Sequence, residues 1–72
     1  MRKYEWRDLP SESYCDISVA GHEYSASISK DDLGLWRWQI MRDDELLVYG
    51  ISAHTRRGPA KKEVECRLDA EY

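Results

Sequence analysis

Two alternating runs on either side of Ala20-Gly21 constrain this chain more than any other feature. Before that dipeptide, Cys15, Ile17 and Val19 fall on one face; after it, Tyr24, Ala26 and Ile28 do so again. Side chains alternate across a strand with a period of two, so two such runs joined by a short connection read as a β-hairpin with one apolar face. Gly21 supplies the positive φ that a tight connection needs. Glu23, Ser25, Ser27 and Ser29 form the opposite, polar set. A slip of one residue would turn the whole apolar set outward, so the register is strongly specified. The hairpin is expected from Ser13 to Ser29.

After the turn-rich cluster Lys30-Asp31-Asp32-Leu33-Gly34, the run from Leu35 to Arg42 puts Trp36, Trp38 and Ile40 on one face and Leu35, Arg37, Gln39 and Met41 on the other. This is a further strand. Asp43-Asp44-Glu45 turns the chain into Leu46 to Ser52, where apolar residues occupy both faces and the period is ambiguous. Either Leu46, Val48 and Gly50 or Leu47, Tyr49 and Ile51 point to the core. Gly50, close to two tryptophans, favours the first set, because a residue without a Cβ gives an indole room against the backbone.

From Thr55 to Tyr72 the rhythm changes. Ala60, Val64, Leu68 and Tyr72 recur every fourth residue, and Lys61/Glu65, Glu63/Arg67 and Arg67/Glu71 have the spacing at which opposite charges meet on a helix. A helix of three or four turns is expected, with Pro59 in its first turn and Thr55 or Gly58 as its cap. At the other end, Tyr4 and Trp6 alternate with Lys3, Glu5 and Arg7 like a short edge strand that Asp8-Leu9-Pro10-Ser11 ends. The expected architecture is an α+β domain: a four- or five-stranded antiparallel β-meander with one C-terminal helix packed on one face. Residues 1–12 form an edge strand or arm, 13–53 the meander and 55–72 the helix.

The stretch Trp36-Arg37-Trp38-Gln39-Ile40, an acidic turn, Leu47-Val48-Tyr49-Gly50-Ile51-Ser52, and Thr55-Arg56-Arg57-Gly58 opening a helix resembles small uncharacterised bacterial and phage-borne proteins built as a β-meander followed by a helix. The resemblance covers about half of the chain. It implies the fold and a bacterial or mobile-element setting, and it brings no functional residues with it.

Length and composition exclude several functions. A chain of 72 residues buries only about 60% of the surface its unfolded form exposes, so it has one core, no second domain and no large internal cleft. The apolar runs are too short to span a membrane or to act as a signal peptide, and the expected compartment is the cytoplasm. The 2 cysteines, Cys15 and Cys66, are then reduced thiols; a Cys15–Cys66 bridge is the alternative in an oxidising compartment. Cys15, His22, His54 and Cys66 could each ligate zinc, yet no two have the short spacing of a zinc site. The acidic turns lack the alternating oxygen ligands of a calcium loop, and the 4 glycines are scattered singly, so no phosphate loop is present. Cys66 projects from the helix face opposite Ala60, Val64 and Leu68, with His54 a turn before the helix, which argues against a nucleophile and base. No cofactor and no catalytic set is expected. Trp36 and Trp38 could stack bases on a sheet, but Ile40 on the same face makes them core residues.

Charge placement remains. The net charge of −3 is an average of unlike regions: residues 31–45 hold five acids, whereas residues 55–62 hold four bases and no acid. Arg56, Arg57, Lys61 and Lys62 oppose the dipole of the helix they open, where acids would normally stabilise. A locally unfavourable arrangement points either to internal pairing with Asp31 and Asp32 or to an external anion. The function expected is a small non-enzymatic protein-binding module, a phage or mobile-element inhibitor or adaptor, that meets its partner through the solvent face of the sheet and the basic helix start, with Arg56, Arg57, Lys61, Lys62, Arg37 and Trp6 as partner-binding residues. The alternative is a nucleic-acid-binding module that uses the basic helix start, which the net negative charge disfavours. A homodimer formed through edge strands or polar sheet faces is compatible with either.

Overall fold

A computed structural model describes residues 3–72. The chain forms an open five-stranded antiparallel sheet in the order β1-β2-β3-β4-β5, followed by one helix. The elements are β1 (Arg7–Leu9), β2 (Glu12–Val19), β3 (His22–Lys30), β4 (Trp36–Arg42), β5 (Glu45–Ile51) and α1 (Arg57–Glu71). The α+β meander with a C-terminal helix is therefore the fold, with five strands.

The β2–β3 hairpin has the register that its alternation demands, with Cys15 opposite Ala26 and Ile17 opposite Tyr24. Its connection is the two-residue turn Ala20-Gly21, both residues having positive φ (51° and 82°), a backbone twist that matches the twist of the strands it joins. Asp43 and Asp44, with φ of 48° and 70°, make the same kind of turn between β4 and β5. Asp31 holds the longer β3–β4 connection. One of its carboxylate oxygens accepts the amides of Leu33 and Leu35, both at 2.9 Å.

α1 lies over β3 and β4. Ala60, Val64 and Leu68 are buried from its inner stripe against Cys15, Tyr24, Ala26, Ile28, Trp36, Trp38 and Ile40. Tyr72 continues the stripe and sets its ring 5.2 Å from that of Tyr24. The opposite face of the sheet carries no element among the described residues.

The structure corrects four local expectations. The edge strand is Arg7–Leu9 rather than the residues around Tyr4 and Trp6. These two side chains instead reach the helix: Tyr4 Oη donates to Asp69 Oδ1 at 2.6 Å, and Trp6 Nε1 donates to Glu65 Oε2 at 2.8 Å. A β-bulge resolves the ambiguity of β5. Val48 pairs with Ile40 but Leu46 with Met41, so Leu47 is the extra residue. Val48 and Gly50 face the core as Gly50 indicated, whereas Leu46 is carried to the outer face and Leu47 packs against the core in its place.

The helix start is the third correction. Its N-cap is Arg56, in extended conformation and with no side-chain cap, while the Thr55 carbonyl accepts Trp36 Nε1 at 3.2 Å. Neither Thr55 nor Gly58 caps it. Finally, the charges spaced four apart on the helix are drawn to tertiary partners: Lys61 to Asp8, Glu65 to Trp6, and Arg67 over the Trp38 ring at 4.7 Å.

Candidate binding surface

The basic helix start sits above β1, and its cations are largely satisfied within the molecule. Lys61 Nζ lies 2.7 Å from Asp8 Oδ1, which also accepts the hydroxyl of the fully buried Ser13 at 2.6 Å. The Asp8 carboxyl is held below its ordinary pKa, first by the Lys61 hydrogen bond and then by that of Ser13. Arg57 donates to the Pro10 carbonyl at 2.7 Å and places its guanidinium 5.2 Å from the centre of the Trp36 ring. Lys61 lies 5.7 Å over the ring of Trp6. Internal pairing does occur, but through Asp8, a residue of β1, and not through Asp31 or Asp32. Asp31 spends its second oxygen on Arg37 Nε at 3.0 Å. Its pKa is lowered first by the Leu35 amide.

Of the six residues read as partner-binding, Trp6, Arg57 and Lys61 thus stand in one cluster that ties β1 to the helix. Lys62 is exposed and lies 3.6 Å from Glu65. Arg56 is exposed and in no ion pair among the described residues. Arg37 stands apart from all of them, on the outer face of the sheet.

That outer face is the solvent face of the sheet expected to meet a partner, but apart from Arg37 the sequence did not single out its residues. Following Cα partners across the strands, Arg7, Tyr14, Ser27, Gln39 and Tyr49 form one lateral row, and Leu9, Glu12, Ser29, Arg37 and Ile51 the next. A shorter third row runs Asp16, Ser25, Met41 and Leu46. Among the described residues, all the exposed large hydrophobics except Leu33 lie here: Tyr49 (74% exposed), Leu46 (52%), Ile51 (50%), Leu9 (44%) and Tyr14 (37%). They gather toward the two edges of the sheet. The small side chains of Ser27 and Ser29 leave a depression of about 500 Å³ between them, walled by Glu12, Arg37, Gln39 and Tyr49. The serines read in sequence as a face for water; their signal as a floor lay in their small size, but only the register shows what flanks them.

A second open groove, of about 910 Å³, follows the flank of α1 and is lined by His54, Pro59, Lys62, Cys66, Arg67 and Ala70. His54 and Cys66 share this groove without a hydrogen bond between them among the described residues. Both cysteines are free thiols, Cys66 exposed and Cys15 in the core, where burial pushes the Cys15 pKa up to about 12. Among the described residues no group of three or more His, Cys, Asp or Glu side chains could hold a metal ion. Among the described residues no helix is long and apolar enough to cross a membrane. No family model, curated protein or solved structure matches the chain.

Proposed function

We propose that this chain is a small non-enzymatic protein-binding module, of the inhibitor or adaptor kind, and that it binds through the open face of its sheet. The observation that carries the reading is the gathering of Tyr14, Tyr49, Ile51, Leu46 and Leu9 on the one sheet face that the helix leaves bare. Single exposed apolar residues are ordinary, whereas several on one face, interleaved with hydroxyls and charges, have the make-up of a protein interface. Tyrosine and arginine, which recur as interface anchors, both stand here as Tyr14, Tyr49 and Arg37. The nucleic-acid reading takes second place, because Arg57 and Lys61 of the basic helix start already have Asp8 and the Pro10 carbonyl as partners and leave Arg56 and Lys62 as its exposed cations.

A Ser27→Arg substitution tests the reading, since it fills the floor of the depression from the central strand. Capture of a protein partner by the parent, with capture lost in Ser27→Arg and kept in Arg56→Ala, is the expected result. Capture that survives Ser27→Arg would move the site elsewhere. A mobility shift with DNA or RNA that weakens steeply with salt and is lost on replacing Arg56 and Lys62 would replace the reading with the alternative.

A further inference from the structure

The sheet has two edges, and they differ. β1 is three residues long, is followed at once by Pro10 and is tied to the helix through Asp8. β5 is seven residues long, contains no proline and no cation, and has its single charge at Glu45. Exposed strand edges are normally blunted by such devices, because unpaired amides and carbonyls template another strand. The bulge at Leu47 interrupts only the first half of β5 and leaves Val48–Ile51 regular.

The hydrogen-bonding alternation shows which groups β5 presents. The Ser52 amide donates to the Trp36 carbonyl at 2.7 Å. In an antiparallel ladder, inward- and outward-directed backbone groups alternate residue by residue. Ser52, Gly50 and Val48 therefore bond to β4, and the amides and carbonyls of Tyr49 and Ile51 point away from the sheet. The same two residues are among the exposed large hydrophobics of the outer face, Tyr49 at 74% and Ile51 at 50%.

We propose that β5 pairs antiparallel with β5 of a second copy of this chain, about a two-fold axis at Gly50, to give one continuous ten-stranded sheet. In that register Tyr49 of each copy faces Ile51 of the other, and each such pair exchanges both backbone hydrogen bonds. Each also sets an aromatic side chain against a β-branched one on the outer face, a favourable cross-strand pair. Charge singles out the second copy as occupant. Asp44 and Glu45 enter β5, Arg56 follows it, and none of the three is in an ion pair among the described residues. Antiparallel pairing brings the acidic end of each β5 toward the basic end of the other. This inference concerns the edge of the sheet and stands apart from the binding role proposed for its face.

Sedimentation equilibrium over a concentration series is the test. The parent is expected to dimerise reversibly, with slowed amide exchange at Tyr49 and Ile51 in the dimer. Ile51→Pro removes an outward amide that β4 does not use, and it is expected to weaken the dimer about tenfold or more, since symmetry deletes the bond twice. Glu45→Arg and Arg56→Glu should each weaken it, and the double variant should restore it. Within one chain these two residues lie at opposite ends of β5, so the restoration reports the contact between copies. A parent that stays monomeric overturns the proposal, as does a dimer untouched by Ile51→Pro or one that the double variant fails to restore. Ser27→Arg abolishes partner capture on the earlier reading and leaves the dimer intact, which separates failure of one from failure of the other.

Discussion

Gly50 and Trp38 show what single atoms decide in a molecule this small. A Cβ built on Gly50 would lie 2.7 Å from Cζ2 of Trp38 and 3.0 Å from Cε2 of the same ring. The ring is wedged between the core and Arg67 and cannot retreat without repacking. Gly50→Ala is expected to cost about 1–3 kcal/mol, as overpacked cores do, measured as a lower midpoint of urea unfolding with an unchanged slope. An unchanged midpoint would mean that the ring has room. The cysteines give a second prediction at this scale. The thiolate is the reactive form, and burial holds the Cys15 pKa at about 12, while Cys66 is exposed. A thiol reagent is expected to label Cys66 alone in the folded protein and both cysteines in denaturant. Labelling of both at similar rates in buffer would contradict the buried position of Cys15.

Among the elements, the helix is the one whose sequence and stability conflict. Its first turn has no acid, and its N-cap, Arg56, has no capping hydrogen bond. A short oxygen-bearing side chain at that position would accept an orphan amide, and the change would remove a cation from the positive end of the dipole. Arg56→Ser is expected to raise stability by about 1 kcal/mol, read from thermal unfolding at high dilution, and a lower melting temperature would mean that Arg56 has a stabilising partner. The β2–β3 turn holds a smaller conflict of the same kind, because Ala20 adopts a φ of 51° that residues with a Cβ adopt at a cost. Ala20→Asn, which tolerates that region, should stabilise the hairpin by about 0.5–1 kcal/mol. The paired turn at Asp43-Asp44 shows the tolerated chemistry. Asp43 has residue-specific bonds to His22 Nδ1 at 2.7 Å and the Glu23 amide at 3.0 Å, which fix that end of the sheet.

Over the whole molecule, three carboxylates hold the periphery: Asp8 ties β1 to the helix, Asp31 closes the β3–β4 connection and Asp43 joins two turns. All three pKa values are lowered, by Lys61 foremost at Asp8, by the Leu35 amide at Asp31 and by His22 at Asp43. A carboxyl with a lower pKa in the folded state binds fewer protons there than in the unfolded chain. Its contribution is therefore present above the unfolded pKa, near 4, and is lost as the pH falls through the folded value. The unfolding midpoint is expected to drop as the pH falls below about 4, and Asp8→Asn should lower the midpoint at neutral pH while flattening that acid limb. Equal acid limbs in parent and variant would remove Asp8 from the account. The strands β2, β3 and β4, the helix and most of the core were legible in the sequence because period two and period four are local properties of the chain, and burying an apolar face needs no knowledge of the neighbour. Gly50 even signalled the tryptophan packed on it. The reach of Trp6 to Glu65, the bulge at Leu47 and the choice of Asp8 over Asp31 and Asp32 as the partner of the basic helix start were not legible. The first and the third join groups distant in sequence, whose approach depends on how the β1 edge and the helix meet, and the bulge shows only in the pairing of β5 with β4. The serines of β3 and the apolar residues of β1, β2 and β5 likewise become one surface only when the register sets them side by side. The sequence alone determined what β2, β3 and β4 would bury; the tertiary structure decided the burial of β5, which charges would be neutralised and which face and edge would remain for a partner, because Coulomb attraction and hydrogen bonding act between groups that only folding brings within a few ångströms.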